Sequence, residues 1–170
     1  EHLTFIAIDL LQQLIVAPSF SKEEDKTAGL LMGFFEHHGM KAFRKGNNVW
    51  AINEHFDASR PTILLNSHHD TVKPNPGYTR NPFSPHIIDN KLYGLGSNDA
   101  GGPLVSLIMT FFYFSHQPSL KYNLVLAATA EEEISGTGGI ESIWNDLPKI
   151  DCAIVGEPTL TEIAVAEKGL

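Results

Sequence analysis

Leu64-Leu65-Asn66-Ser67-His68-His69-Asp70-Thr71 decides how this chain reads: an apolar run stops abruptly at two histidines and a carboxylate. The same event occurs twice more. Residues 124–130 run into Glu131-Glu132-Glu133, and residues 152–155 pass through Gly156 into Glu157-Pro158-Thr159. Short apolar runs without alternation suit strands covered on both faces, as in parallel sheets. In open α/β sheets ligands bind in the crevice beyond the carboxyl ends of such strands. Three strands are therefore expected to deliver imidazole and carboxylate groups to one rim.

The flanking sequence supplies the other layers. Leu3, Ile6, Leu10 and Leu14 recur at helical spacing up to Pro18. Ser21 and Glu24 have the spacing of a capping box, and Ala28, Leu31, Phe35 and His38 continue a second helical face until Gly39. His37 and His38 fall in the last turn of that helix, where the dipole favours them. Residues 41–53 read as a hairpin about Gly46-Asn47-Asn48, and the polar loop that follows leaves His55 solvated. Residues 73–90, rich in Pro, Asn and Gly, are long for a simple connection, and loops of that kind are often functional. His86 lies in that loop. The fold expected is α/β: a three-layer αβα domain with a mixed, mostly parallel central sheet and an antiparallel hairpin at one edge.

Composition narrows the function. The 170 residues suit one domain, and the formal charge of −8 argues against nucleic acid or an anionic membrane as partner. The longest apolar stretch, residues 103–114, falls short of the roughly 20 residues that span a bilayer. Cys152 is the only cysteine, which suits a cytoplasmic enzyme and reads as a small buried hydrophobe. The run Gly94-Leu95-Gly96-Ser97-Asn98-Asp99-Ala100-Gly101-Gly102 lacks both the dinucleotide fingerprint and the Lys-Ser/Thr of a P-loop. Its glycines instead allow close backbone approach while presenting Asp99 at the start of an apolar helix.

His68, Asp99, Glu133 and Glu157 thus offer one imidazole and three carboxylates, the donor types that zinc accepts. So many anions in one crevice call for a cation among them, unless they lie apart. Asp70, two residues beyond His68, is placed to accept a hydrogen bond from the imidazole. The carboxylates of Glu131-Glu132-Glu133 cannot all point one way, so one can bind metal while a neighbour moves protons. A solvated acidic turn is the plainer reading of that triplet, but its place at the end of a buried run before a glycine-rich turn favours function.

At these residues the sequence resembles a known family. Residues 68–72, 94–99, 129–133 and 156–159 look like the successive motifs of the co-catalytic zinc aminoacylases and exopeptidases, among them acetylornithine deacetylase, succinyl-diaminopimelate desuccinylase and the glutamate carboxypeptidases. The resemblance implies a zinc-exopeptidase-like fold holding two Zn²⁺ per site, with Co²⁺ a possible substitute. It implies that His68 binds one zinc with Glu157 as its carboxylate partner, that Asp99 bridges both, and that Glu133 binds the other. Asp70 then orients His68, Glu132 is the general base, and the Asp99–Ala100 peptide bond is cis. The implied reaction is hydrolysis of an N-acyl amino acid, in which Glu132 takes a proton from the attacking water and returns it to the leaving amine. The motifs in residues 67–74 and 96–102 look most like the acetylornithine deacetylase branch, in arginine biosynthesis. N-succinyl substrates, a dipeptidase or carboxypeptidase activity, and a non-catalytic metal-binding relative remain alternatives.

Three departures from the family pattern stand out. Leu95 occupies the place of an arginine, Glu131 that of an aspartate, and the histidine expected on the second zinc is absent from these residues. Residues 166–169 look like the point where the family's chain leaves the catalytic domain for a lid and dimerisation domain. Residues 1–170 are accordingly expected to be the N-terminal part of the metal-binding domain, inactive alone and homodimeric in the intact protein through the missing part.

Overall fold

The computed structural model describes residues 2–160, 162 and 163. The expected departure at residues 166–169 lies outside them. Five strands form the central sheet: β1 (Ala42–Lys45), β2 (Asn48–Ile52), β3 (Thr62–His68), β6 (Asn123–Thr129) and β7 (Cys152–Val155), in the order β1-β2-β6-β3-β7. β3 runs parallel to both β6 and β7, β2 is antiparallel to β6, and β1 is antiparallel to β2. Only β2 therefore runs against the rest, and the hairpin sits at one edge, as its sequence suggested.

Helices cover both faces. α1 (His2–Val16), α2 (Asp25–His37) and α3 (Gly102–Ser115) pack on one side, where Leu10, Leu31, Phe35, Leu104 and Ile108 meet Val49, Leu65, Leu124 and Leu126. On the other side the short α4 (Ile140–Ile143) and Leu147 cover Trp50, Leu64, Val125 and Ala127. The split follows strand alternation, with Leu64 facing one layer and Leu65 the other. Chain topology explains which helix goes where. α3 connects β3 to β6 and α4 connects β6 back past β3 to β7, so the two crossovers travel in opposite directions across the sheet. Crossovers of one hand then lie on opposite faces.

Two expectations are corrected. β7 is exposed along its length, and Cys152 with it, because β7 forms the free edge of the sheet and its outer side has no neighbouring strand among the described residues. Nor do Ser21 and Glu24 form a capping box. Glu24 is itself the residue before α2, with no side-chain cap, and Ser21 donates its hydroxyl to Asp70 Oδ2 at 2.7 Å. The long loop after β3 contains a small exposed hairpin, β4 (His86–Ile88) with β5 (Lys91–Tyr93), turned by Asp89 and Asn90 at φ of 50° and 59°. Paired left-handed residues are what a two-residue hairpin turn requires.

Leu126 is fully buried in the centre of β6. Leu126→Ala is expected to destabilise the fold by about 2–5 kcal/mol, read as a lowered urea midpoint at constant m-value.

Candidate metal centre

Each parallel strand ends in a functional group. β3 ends at His68, whose ring is almost fully buried. β6 runs into a 3₁₀ turn, Glu132–Ile134, and β7 leads through Gly156 to Glu157. Gly156 locks that last connection: its N–H donates to Asn66 O at 2.8 Å, and its carbonyl accepts the Ser67 hydroxyl at 2.8 Å. Asp99 comes from the crossover, in a tight turn over Ser97–Gly101 that leads into α3. The Asp99–Ala100 bond there is cis, as the resemblance implied. The turn needs its glycines, since Gly96 has a φ of 73° and a Cβ on Gly101 would sit 2.5 Å from Gly96 O.

These groups converge. One donor atom from each of His68, Asp99 and Glu133 lies within 4.8 Å of the others. His68 Nε2 is 3.3 Å from Asp99 Oδ1, 3.7 Å from Glu132 Oε2 and 3.8 Å from Glu157 Oε2. His68, Asp99, Glu132, Glu133 and Glu157 thus gather at the carboxyl end of the sheet. The donor types, one nitrogen among several carboxylate oxygens, suit a divalent ion such as Zn²⁺.

Electrostatics point the same way. Burial, then the charges of Glu132, Asp99 and Glu133, push the Glu157 carboxyl up to about 7 despite the opposing pull of His68. Glu133 is raised as well, by burial and by Asp99. Burial works against a charge on His68, but the hydrogen bond and charge of Asp70, with the charges of Glu157 and Glu132, outweigh it and raise the imidazole to about 9. Among the described residues no Lys or Arg pairs with these carboxylates, and His68 is the ion-pair partner of Asp99, Glu132 and Glu157. A proton on His68 is then the local countercharge, and a bound cation would take its place.

Asp70 holds the arrangement from behind. It is fully buried, with Oδ1 3.3 Å from His68 Nδ1, and it also accepts N–H bonds from Glu132 at 3.1 Å and Glu133 at 3.2 Å. Burial alone would raise its pKa, but hydrogen bonds from His68, Ser21 and the Glu132 N–H overcome that and lower it. The neighbouring His69 faces away from the site, with Nε2 2.9 Å from Asn47 O and Nδ1 2.8 Å from the Thr27 hydroxyl. Burial lowers its pKa, so it is a neutral, satisfied core histidine.

The acidic triplet divides as its sequence required. Glu131 has a φ of 55°, and its carboxylate turns into its own glycine-rich turn, accepting the Gly138 N–H at 3.3 Å. A Cβ on Gly136 or Gly138 would collide with that carboxylate at 2.1 or 2.2 Å. Glu132 and Glu133 face the site. Sequence reading missed the contribution of Ser21 and Glu24. Ser21 holds Asp70, and Glu24 Oε1 accepts the Glu131 N–H at 3.2 Å. Their spacing had a local explanation, the capping box, which hid these contacts across the fold.

Known proteins agree with this picture. Residues 64–168 match peptidase family M20/M25/M40. An acetylornithine deacetylase from Salmonella paratyphi B is 33% identical over 177 aligned residues, covering 95% of this chain and 45% of its own length. Among solved structures, an M20 family metallo-carboxypeptidase from Sulfolobus solfataricus superposes with a TM-score of 0.71 at 26% identity, over 92% of this chain and 37% of its own. A dinuclear metal binding peptidase of the M20 family from Bacillus subtilis shares the fold, with a TM-score of 0.68 at 17% identity over 91% of this chain and 42% of its own. The chain belongs to peptidase family M20/M25/M40. It spans just under half the length of the curated relatives it matches. Among the described residues, no helix is long and apolar enough to cross a membrane.

Metal must displace protons from His68, at about 9, and Glu157, at about 7. Zinc affinity is therefore expected to climb as pH rises from about 6 to 8, with proton release on binding. Calorimetry in buffers of different ionisation enthalpy checks this, and an affinity flat across that range would contradict the donor set.

Proposed function

We propose that the protein containing this chain is a zinc-dependent amide hydrolase that removes the acyl group from an N-acyl amino acid, with N-acetylornithine the first substrate to test. The observation that carries the reading is a carboxylate left over. Glu132, 3.7 Å from His68 Nε2, and Glu157, 3.8 Å from it, both stand beside the close donor set of His68, Asp99 and Glu133, and Glu132 is the more exposed of the two. Half-exposed, with its backbone held by Asp70, it can exchange protons with a water or an amine at the open side of the site. A module that only stored metal would have no use for such a group.

In this reading His68, Asp99, Glu133 and Glu157 would hold the metal. When bound it would supply Lewis acidity at the amide carbonyl and lower the pKa of water. The chain's own residues do the rest. Glu132 accepts the proton of the attacking water and later delivers it to the nitrogen of the departing amine. Asp70 fixes the imidazole of His68 through Nδ1 and keeps the Glu132 backbone in place. Deacetylation is the acyl specificity proposed, and the Salmonella acetylornithine deacetylase at 33% identity supports it. A carboxypeptidase reading is the second choice, because the Sulfolobus structure of that description is 26% identical over most of the chain.

Residues 1–170 are further proposed to be the N-terminal part of the catalytic domain of a cytoplasmic homodimer. The relatives' greater length supports this, as does the outer edge of β7, which has no neighbouring strand among the described residues. The rest of the chain is proposed to cover that edge, supply the missing histidine and form the dimer contact.

The test is metal analysis with hydrolysis of N-acetylornithine, N-succinyl amino acids and C-terminal peptides by the full-length protein and by residues 1–170. Two zincs and N-acetylornithine hydrolysis by the full-length protein alone support the reading; tight zinc binding without hydrolysis of any of these amides overturns it. Glu132→Gln is expected to lower kcat by about 10²–10⁴-fold at unchanged zinc content.

A further inference from the structure

Four consecutive backbone N–H groups at the end of β6 donate to buried side chains instead of to a neighbouring strand. Ala130 N donates to Asn48 Oδ1 at 3.0 Å, Glu131 N to Glu24 Oε1 at 3.2 Å, Glu132 N to Asp70 Oδ1 at 3.1 Å and Glu133 N to Asp70 Oδ2 at 3.2 Å. Glu24 is the carboxylate among these acceptors that lies away from the metal centre. It is fully buried, and Lys22 N donates to its Oε1 at 2.7 Å and Asn47 Nδ2 to its Oε2 at 2.7 Å. No Lys or Arg pairs with it among the described residues, and both of its carboxyl oxygens are met by directed N–H donors.

The two backbone donors to Glu24 Oε1 share a conformation. Lys22 and Glu131 are both left-handed, at φ of 75° and 55°, a region that side chains other than glycine seldom occupy. At Glu131 this conformation has a consequence for the site. It ends the strand abruptly and sends the Glu131 carboxylate into the glycine turn while Glu132 and Glu133 face His68.

We propose that Glu24 is a positioning residue for this hydrolase: its buried carboxylate pins the Glu131 backbone in the left-handed conformation and thereby aims Glu132 and Glu133 at the metal centre. The inference rests on the amide-hydrolase reading for its kinetic test, and a metal titration tests it independently. In the full-length protein Glu24→Gln keeps the shape but removes the charge and turns an amide NH₂ towards donors. It is expected to lower kcat by about 10- to 100-fold with KM within about threefold, and to weaken zinc binding about tenfold through misplacement of Glu133. Adding Glu131→Asn, a residue at ease in the left-handed region, is expected to restore part of both losses. Should Glu24→Gln not fold, Glu24→Asp, which keeps the charge and withdraws it by one methylene, is expected to show the same losses. Variants with lower melting temperature but kcat per folded molecule and zinc affinity within twofold of wild type would mean that Glu24 only stabilises the fold. Losses that Glu131→Asn leaves untouched would equally overturn the proposal. If the wild-type protein hydrolyses no amide, the functional reading fails, while the zinc titration of the same variants still decides the role of Glu24.

Discussion

The site hangs on one buried carboxylate. Asp70 faces His68 from one side, takes the N–H groups of Glu132 and Glu133 from the other, and receives the hydroxyl of Ser21. Three segments distant in sequence are thereby fixed relative to one another by an anion with no room to relax. A neutral acceptor would make weaker bonds to all four donors, because a charged partner makes a hydrogen bond roughly twice as strong. Burial is costly for Asp70, yet its hydrogen bonds keep it charged over the range where the site would bind a cation. The orientation of the imidazole and the position of the acidic turn consequently cannot vary independently.

In front of this anchor the balance is reversed. Behind the site, backbone N–H groups, side-chain donors and His68 meet the carboxylates of Asp70 and Glu24; at the rim, Asp99, Glu132, Glu133 and Glu157 crowd one another around His68. The difference is geometric. N–H groups converge on Asp70 and Glu24 because the chain turns its backbone towards them, whereas the rim carboxylates stand past the strand ends, where hydrogen-bonding backbone runs out. Their repulsion is partly relieved by the proton on His68, and a divalent ion removes more of it. The same crowding that raises Glu157 to about 7 therefore favours a divalent ion among these carboxylates.

What was legible in the sequence follows from which forces are local. The strand ends could be read because the apolar runs halt where chemically active side chains begin, at His68, which is itself buried, and at Glu131. The hairpin over residues 41–53 could be read because Gly46 and Asn47 carry its turn chemistry. The fate of β7 could not, since the sequence of residues 152–155 is that of a central strand, and only the sheet order makes it an edge. Ser21 and Glu24 were misread for a related reason. A three-residue spacing fits a capping box, but the donors these side chains meet come from residues 70 and 131, and no pattern within one segment reports a partner so distant. The candidate residues were named by type and motif order; their shared position at one rim needed the parallel register of β3, β6 and β7.

That register also explains why a triplet of glutamates, and not a single one, ends β6. Thr129 is paired with His68, so the next residues leave the sheet level with the imidazole. A strand continuing straight would alternate its side chains and direct only every second one to the site. The left-handed turn at Glu131 breaks the alternation, and the 3₁₀ turn behind it brings two consecutive carboxylates to the same rim. One of them can then lie among the ion's donors while the other remains free for proton transfer. Glu131 is the residue spent on making the turn, and Gly136 and Gly138 are small because its carboxylate occupies the space their side chains would fill.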